Sequence, residues 1–99
     1  MLEFLKEVNI DEDVISDLEQ TYSEANLCTL NSHEFEVIKI IKYFKELGIE
    51  YIDELLVNNL EIFFCRFDEI VKKFSGYNIT DLVEEVNYDY MQINKYIFD

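Results

Sequence analysis

The chain has 99 residues, of which 49% are hydrophobic and 15% aromatic, and its 22 acidic residues against eight basic ones give a net charge of −14 at pH 7. This hydrophobic content excludes a disordered chain, and the lack of proline with only two glycines excludes a flexible or polyproline linker. We therefore expect a single folded domain over residues 1–99 with one modest core.

The first part of the chain predicts two helices and a connection. Residues 2–8 form a short helix with Leu2 and Leu5 inward, and the acidic run 11–13 begins a second helix, because negative charge complements the N-terminal end of a helix dipole. Residues 26–32 are rich in Asn, Thr and Ser, which predicts a loop. The second helix is expected to place four residues inward: Val14, Leu18, Tyr22 and Ala25.

The clearest amphipathic helix spans residues 34–47. Asn31 with Glu34 three residues later resembles a capping box, and Gly48 stands where a left-handed C-cap residue is expected. The inward residues recur at steps of three and four: Val37, Ile40, Ile41, Phe44 and Leu47. This helix is expected to be the centre of the fold.

The rest of the chain predicts further short helices. One covers about 50–58, another 67–74, and two more lie near 80–86 and 90–97. The apolar run 60–65 fits either a buried strand or a short buried helix, and we expect a helix because no second strand is available to pair with it. The predicted fold class is all-α, a single compact domain of five to seven short helices, and two to three stacked helix-turn-helix repeats are one form it can take.

A similarity between segments of the chain, which we call an echo, supports the repeat form. Residues 2–10 align with 41–49 at an offset of 39, with matching apolar and charged positions and an identical Lys-Glu pair. A weaker echo aligns residues 70–79 with 40–49 at an offset of 30. Each unit would be a helix, a tight turn before an isoleucine, and a second short helix. A true repeat and the ordinary likeness of two amphipathic helices both remain open.

Part of this region resembles a known family, that of mTERF-like helical repeats, named after mitochondrial transcription termination factors. The resemblance covers mainly residues 40–75 and consists of apolar spacing; Leu60 departs from it, since the family typically has proline there. It implies a curved stack of helical triplets that binds nucleic acid along its concave side. Four segments carry it: Phe44–Ile49, Ile52–Leu56, Asn58–Phe63 and Phe67–Ile70.

The negative charge is concentrated towards the N-terminus. Residues 1–36 hold ten acidic residues against Lys6 alone, whereas residues 37–75 have a net charge of −1 and residues 76–99 of −4. A field of this sign attracts cationic surfaces and repels a phosphate backbone. The predicted partner-binding residues lie on the second helix: Asp11, Glu12, Asp13, Asp17 and Glu19.

The basic residues and the tyrosines have two interpretations each. The basic residues form either a strip that contacts phosphates or, as we prefer, ion pairs at helical spacing such as Glu36 with Lys39 and Lys42 with Glu46. This lysine strip would comprise Lys39, Lys42, Lys45, Lys72 and Lys73, which with Arg66 form the only concentration of basic residues. Five tyrosines are less clearly inward: Tyr51, Tyr77, Tyr88, Tyr90 and Tyr96. The four that follow residue 76 are candidates for a protein interface.

We expect no enzyme activity and no metal or cofactor. His33 is the only histidine and is expected to face solvent; Cys28 and Cys65 lack zinc-site spacing and are expected to be free thiols in the core. The acidic cluster lacks the spacing of a calcium-binding loop, and neither glycine belongs to a phosphate-binding loop.

Localisation is expected to be cytoplasmic. No apolar run approaches the roughly 18 residues of a membrane helix, and the acidic N-terminal residues Glu3 and Glu7 do not fit a signal peptide.

Two functions are therefore predicted. The first is a non-catalytic binding protein that docks a basic partner through its acidic surface, as an inhibitor, an immunity protein or a nucleic-acid mimic directed at a nucleic-acid-handling enzyme. Neither nucleic acid nor a membrane is an expected partner of such a protein. The alternative is a small mTERF-like nucleic-acid-binding module that uses the lysine strip. A homodimer is compatible with both, because short helices in a small chain leave apolar faces to cover.

Overall fold

In the computed structural model, which describes residues 1–99, the chain forms seven α-helices and three 3-10 helices and no strand. The α-helices are α1 (Glu12–Thr21), α2 (Glu24–Ser32), α3 (Glu34–Leu47), α4 (Ile52–Asn58), α5 (Phe67–Phe74), α6 (Ile79–Tyr88) and α7 (Ile93–Ile97). The 3-10 helices are Glu3–Val8, Leu60–Phe64 and Tyr90–Gln92. The all-α fold class is confirmed, as is the choice of helix for the apolar run 60–65.

The central position of α3 is confirmed. Four of its five predicted inward residues are fully buried, while Leu47 is half-buried. Phe44 lies at the centre, with its ring stacked on that of Phe74 at 6.0 Å and edge-on to Phe63 at 6.1 Å. Around α3 pack the first two 3-10 helices and the helices α2, α4 and α5. The 27 buried hydrophobic residues form one continuous cluster.

The loop predicted for residues 26–32 is wrong, because these residues belong to α2. Ser23 caps the helix by accepting a hydrogen bond from the backbone N–H of Asn26 at 3.2 Å. Leu27 and Leu30, three residues apart, are buried against the core. The hydroxyl of Thr29 donates to a backbone carbonyl of the same helix, at 3.0 Å. Burial of the two leucines therefore outweighs the weak helix propensity of the polar residues around them.

The inward face predicted for α1 is shifted by one residue. Ile15 and Leu18 are buried, whereas Val14 and Tyr22 are only half-buried and Ala25 is exposed in α2. The hydroxyl of Tyr22 reaches across to α4, where it donates to the carbonyl of Val57 at 2.7 Å. This rotation of α1 leaves the Val14 side facing α4.

The predicted capping box before α3 is absent, because Asn31 and Ser32 still belong to α2. His33 alone separates the two helices and makes no side-chain cap. It is half-buried rather than solvent-facing, and its Nε2 lies 3.4 Å from the carbonyl oxygen of Cys65.

Both cysteines are free, as predicted, but neither is a core residue. Cys28 is exposed on the outer side of α2, and Cys65 is half-buried just after the second 3-10 helix. Burial raises the pKa of the Cys65 thiol.

Two turns repeat the same geometry at the predicted offset of 39. Asn9 and Gly48 both adopt left-handed backbone conformations, with φ of 62° and 93°. In each turn the following isoleucine, Ile10 or Ile49, is 3% exposed and donates its N–H to the carbonyl five residues earlier, at 3.1 and 3.0 Å. These are the hydrogen bonds of a Schellman motif. The weaker echo, at an offset of 30, differs, since no residue between α5 and α6 has a positive φ.

We expect Gly48→Ala to lower the free energy of unfolding by about 1–2 kcal/mol, because a side chain disfavours the left-handed conformation. Space is not the obstacle, since an added Cβ would meet only Val83 Cγ1, at 3.9 Å. Urea unfolding followed by circular dichroism measures the change. Gly76→Ala is the matched control: its φ is not in the left-handed region, and we expect a change within about 0.5 kcal/mol. Equal losses in the two variants would contradict the left-handed cap as the cause.

Candidate functional site

The acidic surface predicted from the sequence lies on α1 and is open to solvent. All five predicted residues are exposed, and four of them take part in no ion pair: Asp11, Asp13, Asp17 and Glu19. Glu12 is the exception, with its carboxylate 2.7 Å from Lys6 Nζ, which also lies 2.9 Å from Glu3. Hydrogen bonds to Glu12 and then Glu3 hold the pKa of Lys6 above its ordinary value. Most of the α1 charge is therefore uncompensated.

On one side of α1, a cleft of about 220 Å³ separates it from the first 3-10 helix. Its lining is almost entirely polar: Glu3, Lys6, Glu12, Ile15, Ser16 and Glu19. The ion pairs of Lys6 lie in this cleft and balance part of its charge.

On the other side of α1, a second cleft of about 270 Å³ lies between α1 and α4, and we call it the acidic groove. Two half-buried valines form its apolar part, and three carboxylates and an amide complete it. The lining residues are Val14, Asp17, Asp53, Glu54, Val57 and Asn58. None of the three carboxylates takes part in an ion pair, so the acidic groove has no cation of its own.

The electrostatics of the acidic groove are clearest at Asp53, which is half-buried. Burial raises the pKa of its carboxyl, the charges of Glu54 and Asp11 raise it further, and Lys45 opposes them more weakly. Sequence reasoning missed Asp53 and Glu54. A signal was present, because both are acids in the first turn of α4, as Glu12 and Asp13 are in α1. Their position opposite Asp17, however, depends on the packing of α4 against α1.

The predicted lysine strip is largely engaged within the protein. Lys45 Nζ donates to the carbonyl of Val8, and Lys73 Nζ donates to that of Ile97. Each carbonyl belongs to the last residue of its helix, where the negative end of the helix dipole favours a cation. These two lysines hold the terminal helices against the core.

The predicted ion pairs are confirmed in part. Lys39 lies 3.7 Å from Glu36, as expected, but Lys42 makes no ion pair with Glu46. The carboxylate of Glu36 also accepts a hydrogen bond from the backbone N–H of Phe67 at 2.9 Å, and so caps α5.

One of the tyrosines predicted to be less inward is a structural residue. Tyr96 is buried, and its hydroxyl donates to Glu85 at 2.5 Å, while Lys95 also pairs with Glu85. The hydrogen bond to Glu85, reinforced by burial, raises the pKa of Tyr96 to about 12. Tyr88, in contrast, is 93% exposed.

A pair of tyrosines adjoins the acidic groove. The rings of Tyr51 and Tyr90 lie 6.2 Å apart, and Asn58, which lines the groove, donates to the hydroxyl of Tyr90 at 3.0 Å. Tyr51 is 40% exposed, Tyr90 is half-buried, and Met91, which follows Tyr90 in the chain, is 42% exposed. Asn58 therefore links the acidic groove to the tyrosine pair.

No group of three or more His, Cys, Asp or Glu side chains is arranged to hold a metal ion. None of the helices combines the length and apolarity needed to cross a bilayer. Comparison with protein-family models, with curated proteins and with solved structures finds no match.

Proposed function

We propose that this protein is a non-catalytic binding protein whose acidic face docks a basic protein partner, as an inhibitor, an immunity protein or a nucleic-acid mimic. The observation that carries the proposal is the excess of unpaired carboxylates. Only five of the 22 acidic side chains take part in an ion pair. Uncompensated charge of one sign raises the rate at which a partner of opposite charge associates.

The charge density along α1 supports the nucleic-acid mimic in particular. The five acids from Asp11 to Glu19 span about 12 Å of helix axis at a rise of about 1.5 Å per residue. This is one negative charge per ~3 Å, somewhat more than half the density of duplex DNA, which has one per ~1.7 Å of axis. A cationic cleft that binds a phosphate backbone would therefore meet a dense group of negative charges around α1, of which only Glu12 is paired.

A small mTERF-like nucleic-acid-binding module is the weaker proposal. It would need the lysine strip, of which Lys39, Lys45 and Lys73 bind groups within the protein. The net charge of −14 opposes the approach of a phosphate backbone.

We expect a basic protein to be retained from a low-salt lysate of the host by the tagged chain, with or without nuclease treatment. Reversing the charge at Asp13 and Glu19 (Asp13→Lys/Glu19→Lys) should slow its association by about tenfold or more, because steering depends on the local field. Surface plasmon resonance with the retained protein measures the association rate constant, and the effect should shrink as added salt screens the charges.

The matched control changes the net charge by the same amount on another part of the surface. Glu69 lies in the first turn of α5, as Asp13 does in α1, and Glu84 lies further along α6; both are exposed and unpaired. Glu69→Lys/Glu84→Lys should keep most of the wild-type rate. Equal slowing in both variants would reject the α1 surface, and retained material that nuclease treatment removes would favour the nucleic-acid-binding module.

A further inference from the structure

We propose that the acidic groove, with the adjoining tyrosine pair, receives an arginine side chain of the basic partner. This inference rests on the proposed function and identifies where the partner makes its central contact. It concerns residues that lie outside the row of acids recognised from the sequence, namely Asp53, Glu54, Tyr51 and Tyr90.

The shape of the acidic groove suits a long side chain with a charged end. Val14 and Val57 offer an apolar surface for an aliphatic stem, and the carboxylates of Asp17, Asp53 and Glu54 offer acceptors for its head. The hydrogen bond from Tyr22 to the carbonyl of Val57 joins the end of α1 to α4, the two helices that form the groove, in the free protein. Little ordering is then required when the side chain enters.

The charge of the acidic groove is unbalanced in the free protein. Three carboxylates line it, and none of the protein's basic side chains pairs with any of them. Asp53 is half-buried, and burial and neighbouring carboxylates raise its pKa. A cation supplied by the partner would relieve this repulsion. By contrast, the cleft on the other side of α1 already contains Lys6.

The tyrosine pair favours arginine over lysine. A guanidinium group is planar, binds carboxylates through two parallel hydrogen bonds and stacks on aromatic rings, whereas an ammonium group is a compact, strongly hydrated charge. Tyr90 is joined to the acidic groove by the hydrogen bond that its hydroxyl accepts from Asn58, and its ring lies 6.2 Å from that of Tyr51. Tyr51 is exposed, and tyrosine is enriched among the residues that contribute most to protein interfaces.

The test uses two short probes, acetylated tetra-arginine amide and acetylated tetra-lysine amide, titrated into the ¹⁵N-labelled full chain at low salt. We expect the largest chemical-shift changes at Asp17, Asp53, Glu54 and Asn58, and about fivefold tighter binding of tetra-arginine than of tetra-lysine. Changes centred elsewhere, or equal binding of the two peptides, would overturn the proposal.

Matched variants distinguish the contribution of the acidic groove to binding from that of the net charge. Asp17→Asn/Asp53→Asn should weaken tetra-arginine binding about tenfold, whereas Asp13→Asn/Glu19→Gln, which removes the same charge outside the groove, should weaken it less than about threefold. Tyr51→Ala leaves the charge unchanged and should weaken binding about threefold, in line with the loss of a cation–π contact. The ¹⁵N spectra of the free variants verify that each one folds. Equal weakening by the two double variants would also overturn the proposal.

The outcomes distinguish this inference from the proposed function. If a basic partner is retained and its association depends on Asp13 and Glu19, but the peptide shifts lie outside the acidic groove, only the groove assignment fails. If no basic protein is retained by the chain, the proposed function fails whatever the peptides do.

Discussion

Replacing Phe44 by alanine is expected to lower the free energy of unfolding by about 3–5 kcal/mol. Phe44 is fully buried, and two other rings contact it, those of Phe63 and Phe74. These rings are held by different helices, so the cavity left by the substitution cannot close easily. A domain has about 5–15 kcal/mol of stability in total, so this loss is a large fraction of it. Urea unfolding monitored by circular dichroism gives the value.

Phe35→Ala is the matched control, because it removes the same side chain from the same helix. Phe35 is 75% exposed, so we expect its removal to change the stability by no more than about 0.5 kcal/mol. A similar loss in both variants, or a loss of less than about 1 kcal/mol for Phe44→Ala, would show that Phe44 does not organise the core.

The second large effect on the free energy of unfolding is expected from substitution of Asn59, which is the only buried polar residue. Its Nδ2 donates to Oδ1 of Asn94 at 2.7 Å, and this bond joins the end of α4 to α7. Asn59→Ala should lower the free energy of unfolding by about 1–3 kcal/mol, because the half-buried side chain of Asn94 loses its hydrogen-bond partner. The same unfolding measurement applies.

A double-mutant cycle isolates the interaction between the two asparagines. Asn59→Ala/Asn94→Ala should be more stable than the sum of the single changes predicts, since the second substitution removes the group that the first leaves unpaired. Asn26→Ala, on the exposed side of α2, is the control and should be nearly neutral. Additive single effects would mean that the two asparagines do not interact.

Patterns within a short stretch of sequence correctly predicted the helices whose own residues show apolar spacing and a terminating glycine. The apolar spacing of α3 correctly placed Phe44 in the core, and Gly48 correctly marked its left-handed end. For α2 the polar composition of residues 26–32 was misleading. Its two leucines are buried by neighbouring helices, and that stabilisation is not visible in a short stretch of sequence.

Capping of the N-terminal ends of helices was the feature least accessible from the sequence. The expected local cap of α3 is absent, whereas Glu36 caps α5 from 31 residues away. A cap of this kind depends on where two helices meet. The same reason explains why neither the phosphate-contacting strip nor ion pairing at helical spacing predicted that Lys45 and Lys73 bind backbone carbonyls of distant helices.

By itself, the sequence determined the helical class, the central helix and the concentration of acidic residues on α1. Helix periodicity, left-handed turns and net charge depend on residues within a few positions of one another, so they can be read directly. Only the tertiary structure decided that Asp53 and Glu54 join Asp17 in the acidic groove, that Tyr51 and Tyr90 adjoin it, and that most of the lysine strip is engaged. These groupings bring together residues from separate helices, and their distances are set by how the helices pack and by the hydrogen bonds between them.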